Sequence, residues 1–263
     1  MTTTIRLAAT AVLAAFLSGG IPLLARDDDG NGACRDLPSH AALRTALAAA
    51  RAAANGGLNN DMWGTIVNRD GVVCAVAFTG ANRGDQWPGS RVISAQKANT
   101  ANSFSLADFV LSTANLYTAV QPGGTLFGLQ ESNPVNTDVA YRGDPARVGQ
   151  ANDPMAGGRI GGVNVFGGGL ALYNSSKRIV GGLGVSGDTS CADHNNAWRT
   201  RNNLNLDFVP DGVSGDPTRP DNIVYDIEPP IPHHPSGLSA SGWGHPVCSA
   251  AATAIAAALP PTK

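Results

Sequence analysis

Hydrophobic positions fall into short runs separated by glycine, proline and asparagine, and the spacing inside each run predicts its element. In residues 36–57, DLPSHAALRTALAAARAAANGG, Leu43 and Leu47 lie four apart on one helical face, Ser39 stands as N-cap and Asn55-Gly56-Gly57 as the stop. Residues 62–78, MWGTIVNRDGVVCAVAF, are two β-rich runs joined at Arg69-Asp70-Gly71, a strong hairpin signal. SRVISAQKANTANSF, from Ser90 to Phe104, reads as a helix of mostly small side chains that packs closely on a sheet, and a further helix is expected from Ser105 to about Tyr117. A second strand, turn and strand follow in GGGLALYNSSKRIVGGLGVSG, and then a helix from near Thr189, capped by Ser190 or Asp188, to about Asn203. Hairpins imply antiparallel pairing, so the predicted class is α+β, an antiparallel sheet flanked by helices.

Two stretches break this pattern. Residues 121–168 are polar and rich in Gly, Pro and Asn, and loops of that length in a compact domain are functional or disordered. Residues 205–263 carry many prolines and read as an extension wrapping the core, closing in a short helix within SAAATAIAAAL. The expected domain is residues 36–204.

At the start, MTTTIR supplies a positive charge, LAATAVLAAFL an apolar run and SGGIPLLARDDD small residues for cleavage, so residues 1–25 read as a secretory signal peptide. A membrane anchor needs about 20 apolar residues, and Gly19, Gly20 and Pro22 interrupt the run first. Residues 26–35 read as an acidic linker; Asp27, Asp29, Asn31 and Gly32 match half of an EF-hand loop, but Pro38 stands where its bidentate Glu belongs. The expected location is secreted or periplasmic. Export makes the four cysteines candidates for disulfides, and the pairing Cys34–Cys74 with Cys191–Cys248 is favoured because each staples a terminal segment onto the core. With 14% charged residues and a net charge of -2, nothing points to a nucleic-acid partner.

The glycines of RIVGGLGVSGDTSCADHNNAW invite two readings that fail on context. Gly182, Gly184 and Gly187 have dinucleotide-turn spacing, but they close a hairpin strand instead of opening a βαβ unit. Gly184-Val185-Ser186 begins a nucleophile elbow, but Asp188 replaces its second glycine, and Ser186, Asp188 and His194 lie too near in sequence to converge as a triad. On a helix, His194 shares a face with Cys191 and Trp198, as a structural histidine or a metal or haem ligand; His245 is carried towards it if Cys191 joins Cys248. His40 opens the first helix, His233-His234 sits between prolines, and Lys97 and Arg91 are candidates for a ligand carboxylate. No cluster has the spacing of a zinc site.

Lys97, Ala98, Thr100, Ala101 and Phe104, then Gly167–Gly169, Gly184–Gly187 and Asp193, resemble the haem-binding, haem-degrading domain family typified by GlcG and HbpS, as does IVNRDGVVCAVAF. Leu170-Ala171 departs from its usual x-P-I, and the loop at 121–168 is enlarged. The resemblance implies a profilin-like, about five-stranded antiparallel sheet, homo-oligomers, and non-covalent haem binding in some relatives, with no fixed axial ligand. The leading expectation is an exported protein holding haem, or a similar small, planar, carboxylated ligand, between the small-residue helix, the enlarged loop and the turn before His194. His194, His245 and His40 are the candidate ligands, Lys97, Arg91, Asp193 and the N–H groups of Gly184 and Gly187 the candidate contacts. The alternatives are an enzyme acting on a small acid or on haem, with Asp193 or His194 as acid or base, and a disulfide-stapled interaction module.

Overall fold

The computed structural model describes Met1 and residues 32–229 and 237–263. Beyond Met1, the segment expected to be a signal peptide lies outside them, as do most of the expected acidic linker and His233-His234. The elements are α1 (His40–Ala52), β1 (Trp63–Asn68), β2 (Val73–Phe78), α2 (Ser90–Ser103), α3 (Thr137–Ala140), β3 (Gly169–Tyr173), β4 (Ile179–Ser186), α4 (Ser190–Asn203), β5 (Ile227–Glu228), β6 (Leu238–Ser239) and α5 (Ala250–Ala257). Among them no helix is long and apolar enough to cross a membrane.

The sheet has the order β2-β1-β4-β3 and is antiparallel throughout, with β5 and β6 a separate pair. The main sheet thus has four strands where the resemblance implies about five. The chain after α4 adds a single parallel bridge, Tyr173 to Asp207, with the Tyr173 N–H donating to Leu206.

Alternation along the strands sorts the core into two layers. Ile66, Leu170, Leu172, Leu183 and Val185 meet Leu43 and Leu47 of α1 and Ala197 and Trp198 of α4. Trp63, Val67 and Val76 point the other way, to Val92, Ala95 and Ala98 of α2. Gly182 and Gly184 share that second face: a Cβ on Gly184 would fall well inside contact distance of the Ser94 carbonyl and the Ala98 nitrogen of α2, and one on Gly182 would strike the Ala98 carbonyl. The helix backbone lies directly on the central strand.

The enlarged loop covers the outer side of α2. Val139, Ala140, Met155 and Ile160 join the α2 core layer, and Asn99 Nδ2 donates to Gly162 O at 2.9 Å. Arg91 donates to Asp153 and to Ala140 O. Buried on both sides, α2 needs no polar face, which is why its sequence shows small residues without amphipathic periodicity.

Two local expectations give way. Ser105 to Tyr117 forms no α-helix: Ser105 Oγ bonds both N and O of Leu111, Val110 pairs with Gly212, and only a short 3-10 turn at Thr113–Leu116 follows. The α4 cap is Thr189, whose hydroxyl accepts from Ala192 N–H. Ser190 is therefore the first helical residue, with its hydroxyl available elsewhere.

The disulfides are Cys34–Cys74 and Cys191–Cys248, the favoured pairing. Spanning 40 and 57 residues, each stabilises by about 4 kcal/mol through loop closure in the unfolded chain.

Candidate functional site

Lys97 projects from α2 over the end of β4 to α4. Its Nζ, fully buried, donates to Asp193 Oδ2 at 2.7 Å and Val185 O at 3.1 Å, while Asp193 Oδ1 accepts from Asp188 N–H at 2.8 Å. Burial lowers the Lys97 pKa, opposed by Asp193. Burial raises the Asp193 carboxyl to about 6, against the pull of Lys97. Lys97 thus ties α2 to α4 and presents no free ammonium to a ligand.

Above this pair opens a cleft of about 250 Å³, lined by Trp87, Ser90 and Ile93 on one side, Phe166 on another, and Ser186, Asp188, Thr189, Ser190 and Asp193 below. It is where the small-residue helix, the end of the enlarged loop and the turn before His194 meet. Trp87 and Phe166 each remain 51% exposed beside it, two large rings that the fold does not bury. Farther along the loop the expected groove is filled by Val139, Ala140, Met155 and Ile160.

The histidines do not line this cleft. His194 is fully buried, its ring 5.9 Å from that of Trp198. Asn222 Nδ2 donates to Ala256 O, which turns its Oδ1 to His194 Nε2 at 3.1 Å, and the Ile223 N–H donates to the same nitrogen at 3.2 Å. His194 therefore holds the C-terminal segment and is closed to an iron. His245 reaches α4 at Ser190, one turn before His194: its Nε2 lies 2.7 Å from Ser190 Oγ and its Nδ1 2.7 Å from Pro246 O. Its ring, 5.2 Å from that of Tyr117, is also buried. Nearby Cys191 and Cys248 complete a group whose ligand atoms lie within 4.8 Å, with the two sulfurs bonded to each other.

Burial depresses both imidazoles to about 4. The unfolded chain binds their protons more tightly, so their contribution to stability is whole above about pH 6.5 and is lost as the pH falls through 4. Asp193, raised to about 6, acts in the opposite sense over the same range. Two imidazoles outweigh one carboxyl, and the urea midpoint should fall between pH 6.5 and pH 4, less steeply in His194→Gln. An unchanged midpoint in wild type would contradict this account of the histidines.

The remaining candidates lie apart from the cleft or beneath it. Arg91, buried, is spent on Asp153 and Ala140. His40 Nε2 sits 2.9 Å from Gly149 O at the start of α1. Gly184 is a central-strand residue paired on both sides and covered by α2, and the space a Gly187 Cβ would need is taken by Asp61 O and Met62. Both are closely packed, and neither is among the residues that line the cleft.

Trp87, Phe166 and Ser190 escaped sequence reasoning. For Ser190 a signal existed: it precedes Cys191, His245 stands three residues before Cys248, and the favoured disulfide brings the two together. For the aromatic rings none existed, since only the folded chain shows which stay exposed.

Among curated proteins none matches the chain. Solved structures similar to it include a PduOC:heme complex, 22% identical, covering 63% of this chain and 91% of that one with a TM-score of 0.44. Another is the Klebsiella pneumoniae protein ORFY, 22% identical, covering 64% and 90% with a TM-score of 0.42. A double mutant of HbpS from Streptomyces reticuli is 18% identical, covering 76% and 98% with a TM-score of 0.41. A family described as haem degrading protein HbpS-like matches residues 38–200, the span of α1 to α4 that carries the sheet, the buried lysine and the cleft. The chain belongs to the HbpS-like haem degrading protein family.

Proposed function

We propose that this protein is an exported haem-handling protein that takes the macrocycle at the cleft between Trp87 and Phe166. The observation that carries this reading is the pair of half-exposed aromatic rings beside an apolar-walled opening, in a chain of an HbpS-like family. Flat aromatic faces and close-set small residues suit a planar ring. The opening of about 250 Å³ is smaller than a usual ligand pocket, so an edge of the ring enters and the rest lies against Trp87 and Phe166. The fit does not extend to the iron: no histidine lines the cleft, and His194 and His245 are both buried in the protein away from its lining. Haem is accordingly held by its ring. Two disulfides suit an oxidising compartment and support export.

Titration with haemin, followed at the Soret band, tests the reading. Wild type should shift the band saturably, and Trp87→Ala should weaken binding about tenfold, the value of one lost aromatic contact of about 1.4 kcal/mol. The variant should fold normally, because Trp63 Nε1–H donates to the backbone carbonyl of Trp87, which alanine keeps. A wild-type protein that leaves the haemin spectrum unchanged would reject haem binding.

A further inference from the structure

Ser190 and His245 have the geometry of a serine nucleophile and its base. A carbonyl oxygen only accepts, so His245 Nδ1, 2.7 Å from Pro246 O, carries the ring proton. Nε2 therefore offers its lone pair to the Ser190 hydroxyl 2.7 Å away. The Pro246 carbonyl thus orients the imidazole, the part a carboxylate plays in other serine hydrolases. Burial keeps the ring neutral at pH 7, with a pKa of about 4.

Independent ties fix the pair. The Cys191–Cys248 disulfide joins segments next to each residue, and His245 N–H donates to Val224 O at 2.8 Å. Gly167 N–H donates to Ser190 Oγ at 2.6 Å, and Ser190 N–H, the first of α4, has no partner among the described residues. The Gly167 N–H fixes the position of the attacking oxygen, and the Ser190 N–H is the donor left for the carbonyl oxygen on which charge develops. A serine that served only to tie the loop to His245 would have no reason to line an open cleft, yet Ser190 is half-buried and does so.

We propose that the protein hydrolyses esters of small apolar acids at this cleft, with Ser190 as nucleophile, His245 as general base, and Trp87, Ile93 and Phe166 around the acyl group. Ser190 Oγ bonds to the ester carbonyl carbon as its proton passes to His245 Nε2. Collapse breaks the ester C–O bond, and the alcohol departs with that proton. Water then adds to the acyl-serine, giving a proton to Nε2, and the second collapse returns it to Ser190 as the carboxylic acid leaves. One ester and one water yield one acid and one alcohol, with no oxidant or reductant. The activity goes beyond haem handling and does not depend on it.

Labelling the full protein with a fluorophosphonate, together with turnover of p-nitrophenyl butyrate, tests the assignment. A single adduct should map to Ser190 by peptide mass and be absent from Ser190→Ala, and His245→Gln should slow labelling at least about 100-fold. No adduct on wild type, an adduct on another residue, or wild-type turnover in Ser190→Ala would overturn it. Mapping the adduct on wild type needs no variant to fold, and haemin titration of the same sample reads haem binding separately.

Discussion

Gly184→Ala should leave the protein largely unable to fold. Its methyl group would collide with the Ser94 carbonyl and the Ala98 nitrogen, both backbone atoms of α2. The helix has nowhere to retreat: the loop of residues 121–168 presses on its outer side, tied by Arg91 to Asp153 and Ala140. Nor can the strand shift, since Gly184 pairs with Thr65 on one side and Gly169 on the other. Overpacking a core costs about 1–3 kcal/mol and occasionally more. With backbone on both sides the upper end applies, about 3 kcal/mol or beyond, against a total stability of about 5–15 kcal/mol. Gly89→Ala is the control, because a Cβ there meets nothing within 4 Å, and it should change stability by less than about 0.5 kcal/mol. Urea unfolding of the two variants decides the matter; a Gly184→Ala midpoint equal to that of wild type would contradict the packing of α2 on β4.

Lys97→Met should be comparably damaging for an electrostatic reason. It strands Asp193 in the interior with Asp188 N–H as its remaining donor partner. Removing one member of a buried ion pair costs about 3–5 kcal/mol, whereas removing the charge of both is far milder. Lys97→Met/Asp193→Asn, which keeps an acceptor for Asp188, should therefore recover at least half the loss, and the double-mutant cycle should report a coupling of about 2 kcal/mol or more. Without Lys97 to pull it down, the Asp193 pKa moves above its wild-type value of about 6. A carboxyl raised in the folded state favours folding at low pH, so the penalty in Lys97→Met should shrink from pH 8 to pH 5. Additive single mutants and a pH-independent penalty would show that the pair contributes nothing specific.

The sequence was most legible where structure is set locally. Ser39 caps α1, Asp70-Gly71 turns the first hairpin, and the α2 and α4 boundaries lie within a residue or so of where propensity places them. Reading failed where a distant partner decides. Ser105 to Tyr117 has helical composition, but Val110 pairs with Gly212, about a hundred residues on, and its backbone bonds are made there. The charges of Arg91 and Lys97 were visible as charges, while their partners Asp153 and Asp193 lie 62 and 96 positions away, beyond any periodicity. The glycines of β4 were legible as a motif and as a demand for close approach, but not as to what approaches: it is the α2 backbone, not a ligand. His194 was placed on the correct face with Cys191 and Trp198, and burial then removed it from reach. The cleft lies between the three segments the sequence pointed to, but its lining had no sequence signature, because Trp87, Ile93, Phe166 and Ser190 come from three separate parts of the chain.

The location of haemin on the folded protein tests the central reading most directly. Ferric haem is paramagnetic and broadens the amide signals of nearby residues, so an isotope-labelled sample titrated with haemin reports its site residue by residue. The reading expects broadening centred on Trp87, Ile93, Phe166 and Ser186–Asp193, with the α1 face around Ala42 and Ala49 unaffected. Broadening centred on any other surface, or a spectrum that haemin leaves unchanged, would contradict it.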